Sequence, residues 1–420
     1  MPNAGNLHRQ VVREFTLMDS PVVIVGASLG GLRTAESLRR FGYFGPIQIF
    51  GDEPHLPYNR PPLSKEVLAT GISHEAVAFP LKDSIADVSW KLGTRIVSVN
   101  TDDKTVKDDR GEDHSYSSLV IATGLSPKKL DMIPANTSGI HVLRNLSDAI
   151  SLRSELNAVA KVVIVGSGFI GCEVAATAKK LGCEVTVIGS SELPLLRPLG
   201  TEFARELRNR LEGEGIRFLM NNGIEDIFSE TELGSSRIKT LRLKNDDVID
   251  CDVLIMAVGS SPITEWLKDS PIDISDGVLT NGAMQVLDNS GEVVPDVYAV
   301  GDVARFPNPL FDAVPRRVEH WNIPTETAKR VSKVIAAKEN QDSNYSEILD
   351  EAFAPIPSFW SDQFDMHLLG FGNLGLADEI KLLEGKLDEE FIFGYFRTGK
   401  LVGVSGIGMR GAMQGYREKL

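Results

Sequence analysis

The chain has 420 residues, of which 42% are hydrophobic and 24% are charged, and its formal net charge is -14. This composition is typical of a globular protein with two or three domains, and the negative charge argues against nonspecific binding of nucleic acid. No apolar run approaches the roughly 20 residues that a membrane-spanning helix needs, so no membrane contact is expected.

The N-terminal segment does not match a targeting sequence. Residues 1–17 lack the apolar centre of a secretory signal, and we interpret them as a flexible extension. The three cysteines, Cys172, Cys183 and Cys251, form neither a Cys-x-x-Cys pair nor a zinc pattern. They are expected to be small buried residues, no metal site is expected, and a reducing, cytoplasmic location is the default expectation.

The first recognisable unit is PVVIVGASLGGLRTAESLRRFG, followed by the apolar run IQIF. The pattern predicts a buried strand, a glycine-rich turn, a helix and a second strand, which is the βαβ unit that binds dinucleotides. Asp52 follows the second strand, where an acid accepts hydrogen bonds from a ribose. The turn residues expected to contact the dinucleotide are Gly26, Ser28, Leu29, Gly30 and Gly31. Serine replaces the second glycine of the usual fingerprint, and a turn that serves only packing is the alternative.

A second unit, KVVIVGSGFIGCEVAATAKKLGCEVTVIGSSE, repeats the pattern with its glycines intact. Two such units predict two Rossmann-like domains and two dinucleotides, and proteins of this kind usually transfer a hydride between them. The alternative is a duplicated scaffold in which one site is inactive. The second-turn residues expected to contact a dinucleotide are Gly166, Gly168, Phe169, Ile170 and Gly171.

Three further segments are typical of strands that return to a sheet edge beside a nucleotide: SSLVIATG, CDVLIMAVGSSP and VPDVYAVGDVA. An aspartate after the last strand can accept hydrogen bonds from the ribityl hydroxyls of a flavin, and the amides that follow can meet a phosphate. The residues that these segments add to the two candidate sites are Ala122, Thr123, Gly124, Val258, Gly259, Gly301 and Asp302.

Together with LPYNRPPLSK, RRVEHW and FWSDQ, these motifs resemble the FAD-dependent NAD(P)H:ferredoxin reductases of bacterial oxygenase systems, the group of putidaredoxin reductase and rubredoxin reductase. The resemblance covers roughly residues 20–420. It implies an α/β fold with two Rossmann-like dinucleotide-binding domains of the glutathione-reductase type and a small C-terminal α+β domain. The implied boundaries are 18–126 with 263–340 for FAD, 127–262 for NAD(P)H, and 341–420 for the C-terminal domain.

The resemblance also implies the roles of individual residues. It places Lys65 beside the flavin and pairs it with Glu173 as the candidate catalytic pair. A lysine near flavin N5 favours the negative charge that develops as hydride arrives, and prolines in front of it reduce the entropy lost in holding it. The other implied flavin contacts are Arg60, Glu319, His320 and Trp321. Trp360 and Gln363 either face the flavin or are structural.

The coenzyme end of the second unit departs from the family pattern. An acid that binds the adenine ribose of NADH usually follows the second strand, whereas this chain has Gly189, Ser190 and Ser191, with Arg197 nearby. Loss of the acid removes repulsion toward a 2′-phosphate. NADH is expected to be preferred by a narrow margin, and NADPH stays possible.

The implied partner is a 2Fe-2S ferredoxin that supplies an oxygenase of the cytochrome P-450 or Rieske type, and the enzyme is expected to be a monomer or a homodimer. A disulphide or peroxide reductase is disfavoured, because the first 170 residues contain no cysteine. A flavoprotein similar to apoptosis-inducing factor, and a rubredoxin reductase, are the alternatives. The basic residues expected to steer an acidic ferredoxin are Arg316, Arg317, Arg397, Lys400, Arg410, Arg417 and Lys419.

Overall fold

The structure is a computed structural model that describes residues 20–134, 136–232 and 235–420. The predicted extension at residues 1–17 lies outside this range. Within the described part of the chain, no helix is both long and apolar enough to cross a membrane.

The first part of the chain contains the predicted βαβ unit and a short antiparallel sheet. Its first strand is buried along its whole length, as a strand with neighbours on both sides and helices on both faces must be. The elements are β1 (Val22–Val25), α1 (Leu29–Arg40), β2 (Ile47–Gly51), α2 (Glu66–Thr70), α3 (His74–Val77), β3 (Ser89–Leu92), β4 (Ile96–Asn100), β5 (Thr105–Asp108), β6 (Asp113–Ser115), β7 (Ser118–Ile121) and β8 (Leu125–Pro127).

The second part repeats the βαβ arrangement, and a β-hairpin follows it. The elements are β9 (Thr137–Ser138), β10 (Ile140–Val142), α4 (Leu146–Glu155), β11 (Lys161–Val165), α5 (Phe169–Lys180), β12 (Glu184–Gly189), α6 (Leu196–Leu199), α7 (Thr201–Gly213), β13 (Arg217–Met220), β14 (Ile224–Glu232), β15 (Ser235–Leu243), β16 (Val248–Asp250), β17 (Val253–Met256) and β18 (Ser260–Pro262).

The rest of the chain supplies strands and one long helix, and then a C-terminal sheet. The elements are β19 (Val278–Leu279), β20 (Gln285–Leu287), β21 (Val293–Ala299), β22 (Ala304–Asn308), β23 (Asp312–Arg317), α8 (Ile323–Glu339), α9 (Tyr345–Asp350), β24 (Ser358–Gln363), β25 (Met366–Gly372), β26 (Glu379–Gly385), β27 (Phe391–Arg397), β28 (Lys400–Ile407) and α10 (Arg410–Arg417).

Two parallel sheets have matching strand orders. The first runs β20-β21-β7-β1-β2-β3, with only β20 antiparallel to its neighbour. The second runs β10-β17-β11-β12-β13 and is parallel throughout. In each sheet the strand before the glycine-rich turn lies between two others, so each turn opens at the carboxyl edge, where ligands of such sheets bind.

The first sheet is completed by chain that follows the second sheet. Strand β21 pairs with β7, and helix α8 packs against α1. Because β21, β7 and β1 are parallel, the turn after β21 reaches the same edge as the first glycine-rich turn. The exact boundaries of the domains stay predictions.

The C-terminal sheet is antiparallel, in the order β24-β25-β28-β27-β26. It packs on the second unit, where Phe203 of α7 meets the ring of Phe391 edge-on at a centroid distance of 4.8 Å. The hydroxyl of Tyr395 donates to the carbonyl of Leu199 at 2.8 Å. The predicted fold class, two Rossmann-like domains and a small C-terminal α+β domain, is confirmed.

Candidate functional site

The first glycine-rich turn is packed against the end of β7 so tightly that side chains are excluded. A Cβ atom on Gly26 would lie 2.1 Å from the carbonyl oxygen of Ala122, and one on Gly31 would lie 2.1 Å from the oxygen of Gly26. Gly26 also has a φ of +127°, which L-residues rarely adopt. The structure therefore brings the predicted residues Gly26, Gly31, Ala122 and Thr123 together at one edge.

Helix α1 begins at this turn without a side-chain cap. Ser28 occupies the cap position in an extended conformation, and its hydroxyl makes no hydrogen bond to the helix amides. Leu29 and Gly30 form the first helical residues, so their amide groups point toward the open edge. Free amides at a helix N-terminus fit the pyrophosphate of a dinucleotide. The residues present thus fit the first predicted cofactor.

The end of β2 places two acids beside the turn. A Cβ atom on Gly51 would lie 2.5 Å from the Cβ of Ala27. Asp52, which follows, is exposed and lies 3.5 Å from Arg95. Glu53, which the sequence did not single out, accepts from Tyr58 at 2.6 Å and from Arg60 at 2.5 Å. Asp52 is therefore the acid that remains open to a ribose.

The proline-rich segment is a rigid connector. Residues Pro61–Ser64 form one 3-10 turn, in agreement with the expectation that this segment is neither a regular strand nor a helix interior. Arg60 fixes it to the rest of the site, because its Nε donates to Ser28 Oγ at 3.2 Å and its Nη1 donates to the carbonyl of Arg144 at 2.7 Å. The segment is thereby held on the first glycine-rich turn.

The predicted pair of Lys65 and Glu173 is in contact. Lys65 Nζ lies 2.6 Å from Glu173 Oε2, with the side chains 14% and 7% exposed. Ser64 donates to the same oxygen at 2.6 Å, and Ser361 donates to Oε1 at 2.7 Å. A nearly buried ammonium needs such a carboxylate, because its desolvation is otherwise costly. The pair joins the proline-rich segment to helix α5 of the second unit.

The turn after β21 carries a half-buried acid, Asp302. Gly301 has a φ of +72°, and its amide donates to the hydroxyl of Thr327 at 2.9 Å. Burial raises the pKa of Asp302 to about 6, against the opposing effect of the Arg144 charge. A carboxylate in such surroundings is stabilised when a ligand hydroxyl donates to it. The arrangement fits the predicted contact with a ribityl chain.

Arg144 is a site residue that sequence reasoning missed. Its Nη2 atom would lie 3.3 Å from a Cβ on Gly124. Burial, and then the charge of Arg60, lowers the pKa of Arg144, while Asp302 and other carboxylates raise it. No local pattern marks Arg144, since it lies in the connection between the two units and reaches the site only through the fold.

The predicted trio of Glu319, His320 and Trp321 spreads over three environments. Glu319 is exposed and accepts from Ser260 at 3.2 Å and from Arg317 at 2.7 Å. Burial lowers the pKa of His320 to about 4, and its Nδ1 is buried with no hydrogen-bond partner among the described residues. Trp321 is 40% exposed. The histidine is therefore neutral at pH 7, and the tryptophan faces outward.

The second glycine-rich turn repeats the geometry of the first. A Cβ on Gly166 would lie 2.1 Å from the oxygen of Ala257, and one on Gly171 would lie 2.0 Å from the oxygen of Gly166. Gly168 caps α5 without a side chain, and a Cβ atom there would meet no atom of the described residues within 4 Å. This open N-terminus fits the pyrophosphate of a second dinucleotide.

Other predicted residues of the second site differ in their surroundings. Ile170 is 48% exposed, and Gly259, which follows Val258, is exposed with a φ of +96°. Phe169 packs on Phe359 of the C-terminal sheet at a centroid distance of 5.1 Å. Phe169 therefore contributes an interdomain contact in addition to its position at the helix start.

The backbone at Gly189, where the second strand of the second unit ends, has little space around it for a side chain. Gly189 is buried, and a Cβ there would lie 2.7 Å from Cε of Met220 and 2.7 Å from Oγ of Ser167. Ser190 and Arg197 are both exposed. Met220, at the end of β13, thus occupies the space beside Gly189.

The cysteines are free and buried, as predicted. Burial raises the pKa of Cys172 and of Cys251 to about 12, and it also raises that of Cys183. All three are neutral thiols at pH 7, which are poor nucleophiles. They therefore do not form the reactive dithiol of a disulphide reductase.

The expected steering residues are partly neutralised. Arg316 Nη2 lies 2.9 Å from Asp312, and Arg397 shares that carboxylate at 2.7 Å. These two hydrogen bonds lower the pKa of Asp312. Arg317 is bound by Asp276 at 2.8 Å and by a second acid. Arg316, Arg317 and Arg397 are therefore ion-paired, which reduces the positive charge that they offer to a ferredoxin.

Comparison with known proteins agrees with this geometry. The model of the family described as pyridine nucleotide-disulphide oxidoreductase matches residues 20–328. The rubredoxin-NAD(+) reductase of Ectopseudomonas oleovorans is 33% identical over 364 residues, which cover 86% of this chain and 88% of that protein. The ferredoxin--NAD(P)(+) reductase of a Sphingomonas species is 30% identical over 385 residues, with 91% and 88% covered.

A solved structure of a covalent complex between putidaredoxin reductase and putidaredoxin has a TM-score of 0.86 at 26% identity and covers 95% of this chain and 92% of that chain. A NAD-dependent persulfide reductase from A. fulgidus has a TM-score of 0.79 at 18% identity, and this likeness shows the fold alone. With two glycine-rich cofactor sites joined by one ion pair, the chain belongs to the pyridine nucleotide-disulphide oxidoreductase family, in its group of FAD- and NAD(P)H-dependent ferredoxin and rubredoxin reductases.

Proposed function

We propose that this enzyme passes electrons from NAD(P)H through FAD to a 2Fe-2S ferredoxin, which supplies an oxygenase of the cytochrome P-450 or Rieske type. When bound, FAD accepts two electrons as a hydride and releases them one at a time. The protein's part is to hold both dinucleotides, to place charge beside the flavin and to exclude other acceptors.

The observation that carries the proposal is the contact between Lys65 and Glu173, at 2.6 Å. Lys65 follows the segment that Arg60 fixes to the first glycine-rich turn, whereas Glu173 lies on the helix that begins at the second turn. The pair therefore stands where the two cofactors would meet. With all three cysteines buried as neutral thiols, electrons have no dithiol to pass through.

The charged side chains of the site suit the binding and reduction of a flavin. The Lys65 ammonium stabilises negative charge that develops on a neighbouring ring, and its carboxylate partner offsets the cost of burying it. Arg60 and Arg144 place positive charge near the first turn, in keeping with a pyrophosphate. Asp302 offers an acceptor to ligand hydroxyls.

An exposed aromatic pair supports the docking of a protein partner. Trp321 and Trp360 meet at 67° with ring centroids 5.4 Å apart, and they are 40% and 38% exposed. Exposed tryptophans are enriched in the centres of protein interfaces. A ferredoxin seated on this pair, a monomeric or homodimeric enzyme, and a cytoplasmic location are parts of the same proposal; the free state of the cysteines agrees with a reducing compartment.

The proposal is tested with purified protein. It should be yellow, should bleach with NADH or NADPH without oxygen, and should then reduce a 2Fe-2S ferredoxin. Trp321→Ala is expected to slow ferredoxin reduction by a larger factor than it slows bleaching, with Phe44, which is 82% exposed, changed to Ala as the control. Colourless protein that cannot be reconstituted with FAD would refute the proposal.

A rubredoxin is the second candidate partner. The observation in its favour is the 33% identity to a protein named rubredoxin-NAD(+) reductase. Parallel measurements of kcat/KM with one ferredoxin and one rubredoxin decide between them. A higher value for rubredoxin would replace the 2Fe-2S ferredoxin as the partner and leave the rest of the proposal intact.

A further inference from the structure

Strand β24 lies along helix α5 with one face toward it. Phe359 packs on Phe169 at 5.1 Å between ring centroids, and two residues later Ser361 donates to Glu173 at 2.7 Å. A spacing of two on the strand matches a spacing of four on the helix, because alternate strand residues share a face and residues four apart share a helix face. The packing of strand β24 on helix α5 therefore places Ser361 beside the Lys65–Glu173 ion pair.

The hydrogen bonds of the Glu173 carboxylate are shared between two parts of the chain. Its Oε2 atom accepts from Lys65 and Ser64, both at 2.6 Å, and its Oε1 atom accepts from Ser361. Glu173 is 6% exposed, so water cannot readily replace a lost donor. Without Ser361, one oxygen of a nearly buried carboxylate would be left without its protein donor, which disfavours the charged form.

A second buried residue fixes the direction of the serine hydroxyl. Gln363 is 1% exposed, and its Nε2 donates to Ser361 Oγ at 3.1 Å. A serine hydroxyl has one proton to donate. Since its oxygen accepts from Gln363, the single proton is left for Glu173.

We propose that Ser361, oriented by Gln363, is a positioning residue that holds the Glu173 carboxylate and keeps it aimed at Lys65, so that the C-terminal domain controls the cation of the flavin site. This inference rests on the proposed function, because it assigns the consequence to flavin reduction. It places the control in a part of the chain that lies beyond the matched family segment at residues 20–328. Lys65 forms the ion pair with Glu173, and the charge of Glu173 also raises the pKa of the neighbouring Cys172 thiol.

The test compares FAD-loaded Ser361→Ala with FAD-loaded Ser405→Ala. Ser405 is a matched control, since both serines are 0% exposed in the same sheet, and its hydroxyl donates to the carbonyl of Leu369 at 3.1 Å. Ser361→Ala should slow flavin reduction by NAD(P)H by roughly tenfold and move the acid side of its pH profile to higher pH. Ser405→Ala should change neither.

Thermal unfolding provides a second measurement, which does not depend on catalytic turnover. The thermal-unfolding midpoint of Ser361→Ala should lie below that of the wild type at pH 8, and the difference should shrink as the pH falls. The sign follows because a carboxylate that has lost a donor is penalised only while it is charged. Ser405→Ala should show a difference that does not depend on pH.

Two more variants test whether the effect of Ser361→Ala results from misfolding or from a cause that does not involve Glu173. Ser361→Cys keeps a weaker donor on a slightly larger side chain, so its rate should lie between those of Ser361→Ala and the wild type. In a Glu173→Gln background, Ser361→Ala should add no further shift of the pH profile, because the charge that it supports is gone. Additive effects, or a Ser361→Ala enzyme that matches Ser405→Ala throughout, overturn the inference. Wild-type protein that binds no FAD would instead overturn the proposed function.

Discussion

Lys65 Nζ lies 2.6 Å from Glu173 Oε2, although the two residues belong to different glycine-rich units. Each side chain is mostly buried, and the carboxylate accepts hydrogen bonds from three donors, Lys65, Ser64 and Ser361. The contact makes the geometry of the first site depend on the second. A substitution of either residue should therefore also alter the position of the other side chain.

Replacement of Lys65 by methionine should slow flavin reduction by NAD(P)H on the order of 10- to 100-fold, because the developing negative charge loses its cation. FAD should stay bound, since its expected contacts are the first turn, Asp52 and Asp302. Stopped-flow bleaching measures the rate, and the visible absorbance measures FAD content. Lys82→Met is the control, since Lys82 is 62% exposed and pairs with Glu36.

The pair should also behave as one unit. Glu173→Ala is expected to slow bleaching because Lys65 loses its orienting partner, and the double variant should be less impaired than the product of the single losses. Strictly additive free energies of activation would show that the two residues act apart.

Coenzyme choice should depend on residues 189 and 220 together. A glutamate at Gly189 would restore an acceptor for the ribose, but its Cβ would lie 2.7 Å from Cε of Met220. Gly189→Glu with Met220→Ala should therefore favour NADH over NADPH by about 1–2 kcal/mol, a factor of roughly 5 to 30, and Gly189→Glu alone should do less.

The measurement is the ratio of kcat/KM for NADH and NADPH, with Met220→Ala as the control for the loss of volume. An unchanged ratio in the double variant would mean that residue 189 does not line the adenine ribose.

Stability should fall at acid pH because of His320. Burial lowers its pKa to about 4, so between pH 6.5 and 4 the unfolded chain binds a proton that the native protein does not bind. His320→Asn should recover about 1–3 kcal/mol of the loss over this window. Asp302, whose pKa is raised to about 6 by burial, acts in the opposite direction, and its contribution cancels between variant and wild type.

Thermal-unfolding midpoints at pH 7.5 and 4.5, at equal FAD content, test this expectation. His367→Asn is the control, because His367 is 54% exposed. Equal acid sensitivity of His320→Asn and the wild type would contradict the assignment.

Association with an acidic ferredoxin should weaken as salt is added, whereas bleaching by NAD(P)H should barely change. Arg316 and Arg397 share one carboxylate, Asp312, so this group keeps a net positive charge. Arg316→Glu should lower the association rate roughly 2- to 10-fold at low salt. Arg242→Glu is the control, since Arg242 also lies between two acids, but on strand β15.

Stopped-flow association at several ionic strengths gives the rates. If the association rate is independent of salt and Arg316→Glu matches Arg242→Glu, this docking face is wrong.

The two cofactor sites could be predicted because each is marked by a short, local pattern of glycines. Gly26 and Gly166 lie where a Cβ would strike a carbonyl oxygen, so the glycine pattern directly reflects backbone contact. The proline-rich segment was recognised the same way, since each proline restricts its own backbone, whereas the role of Lys65 was implied by the resemblance to a family. The pairing with Glu173 came from the resemblance to a family and is seen in the structure.

Only the tertiary structure decided what surrounds these motifs. Arg144 and Met220 carry no local pattern, and Ser361 lies in the FWSDQ segment without being marked as a site residue. Their importance lies in side chains that distant strands and helices bring to one place. The sharing of Asp312 between Arg316 and Arg397 likewise depends on the fold, because Arg397 lies on a strand of the C-terminal sheet. Sequence thus determined the fold class and the positions where the backbone must approach a cofactor. Packing of the C-terminal sheet on α5 determined which buried groups hold the Lys65–Glu173 pair, because burial and hydrogen-bond partners are properties of the folded chain.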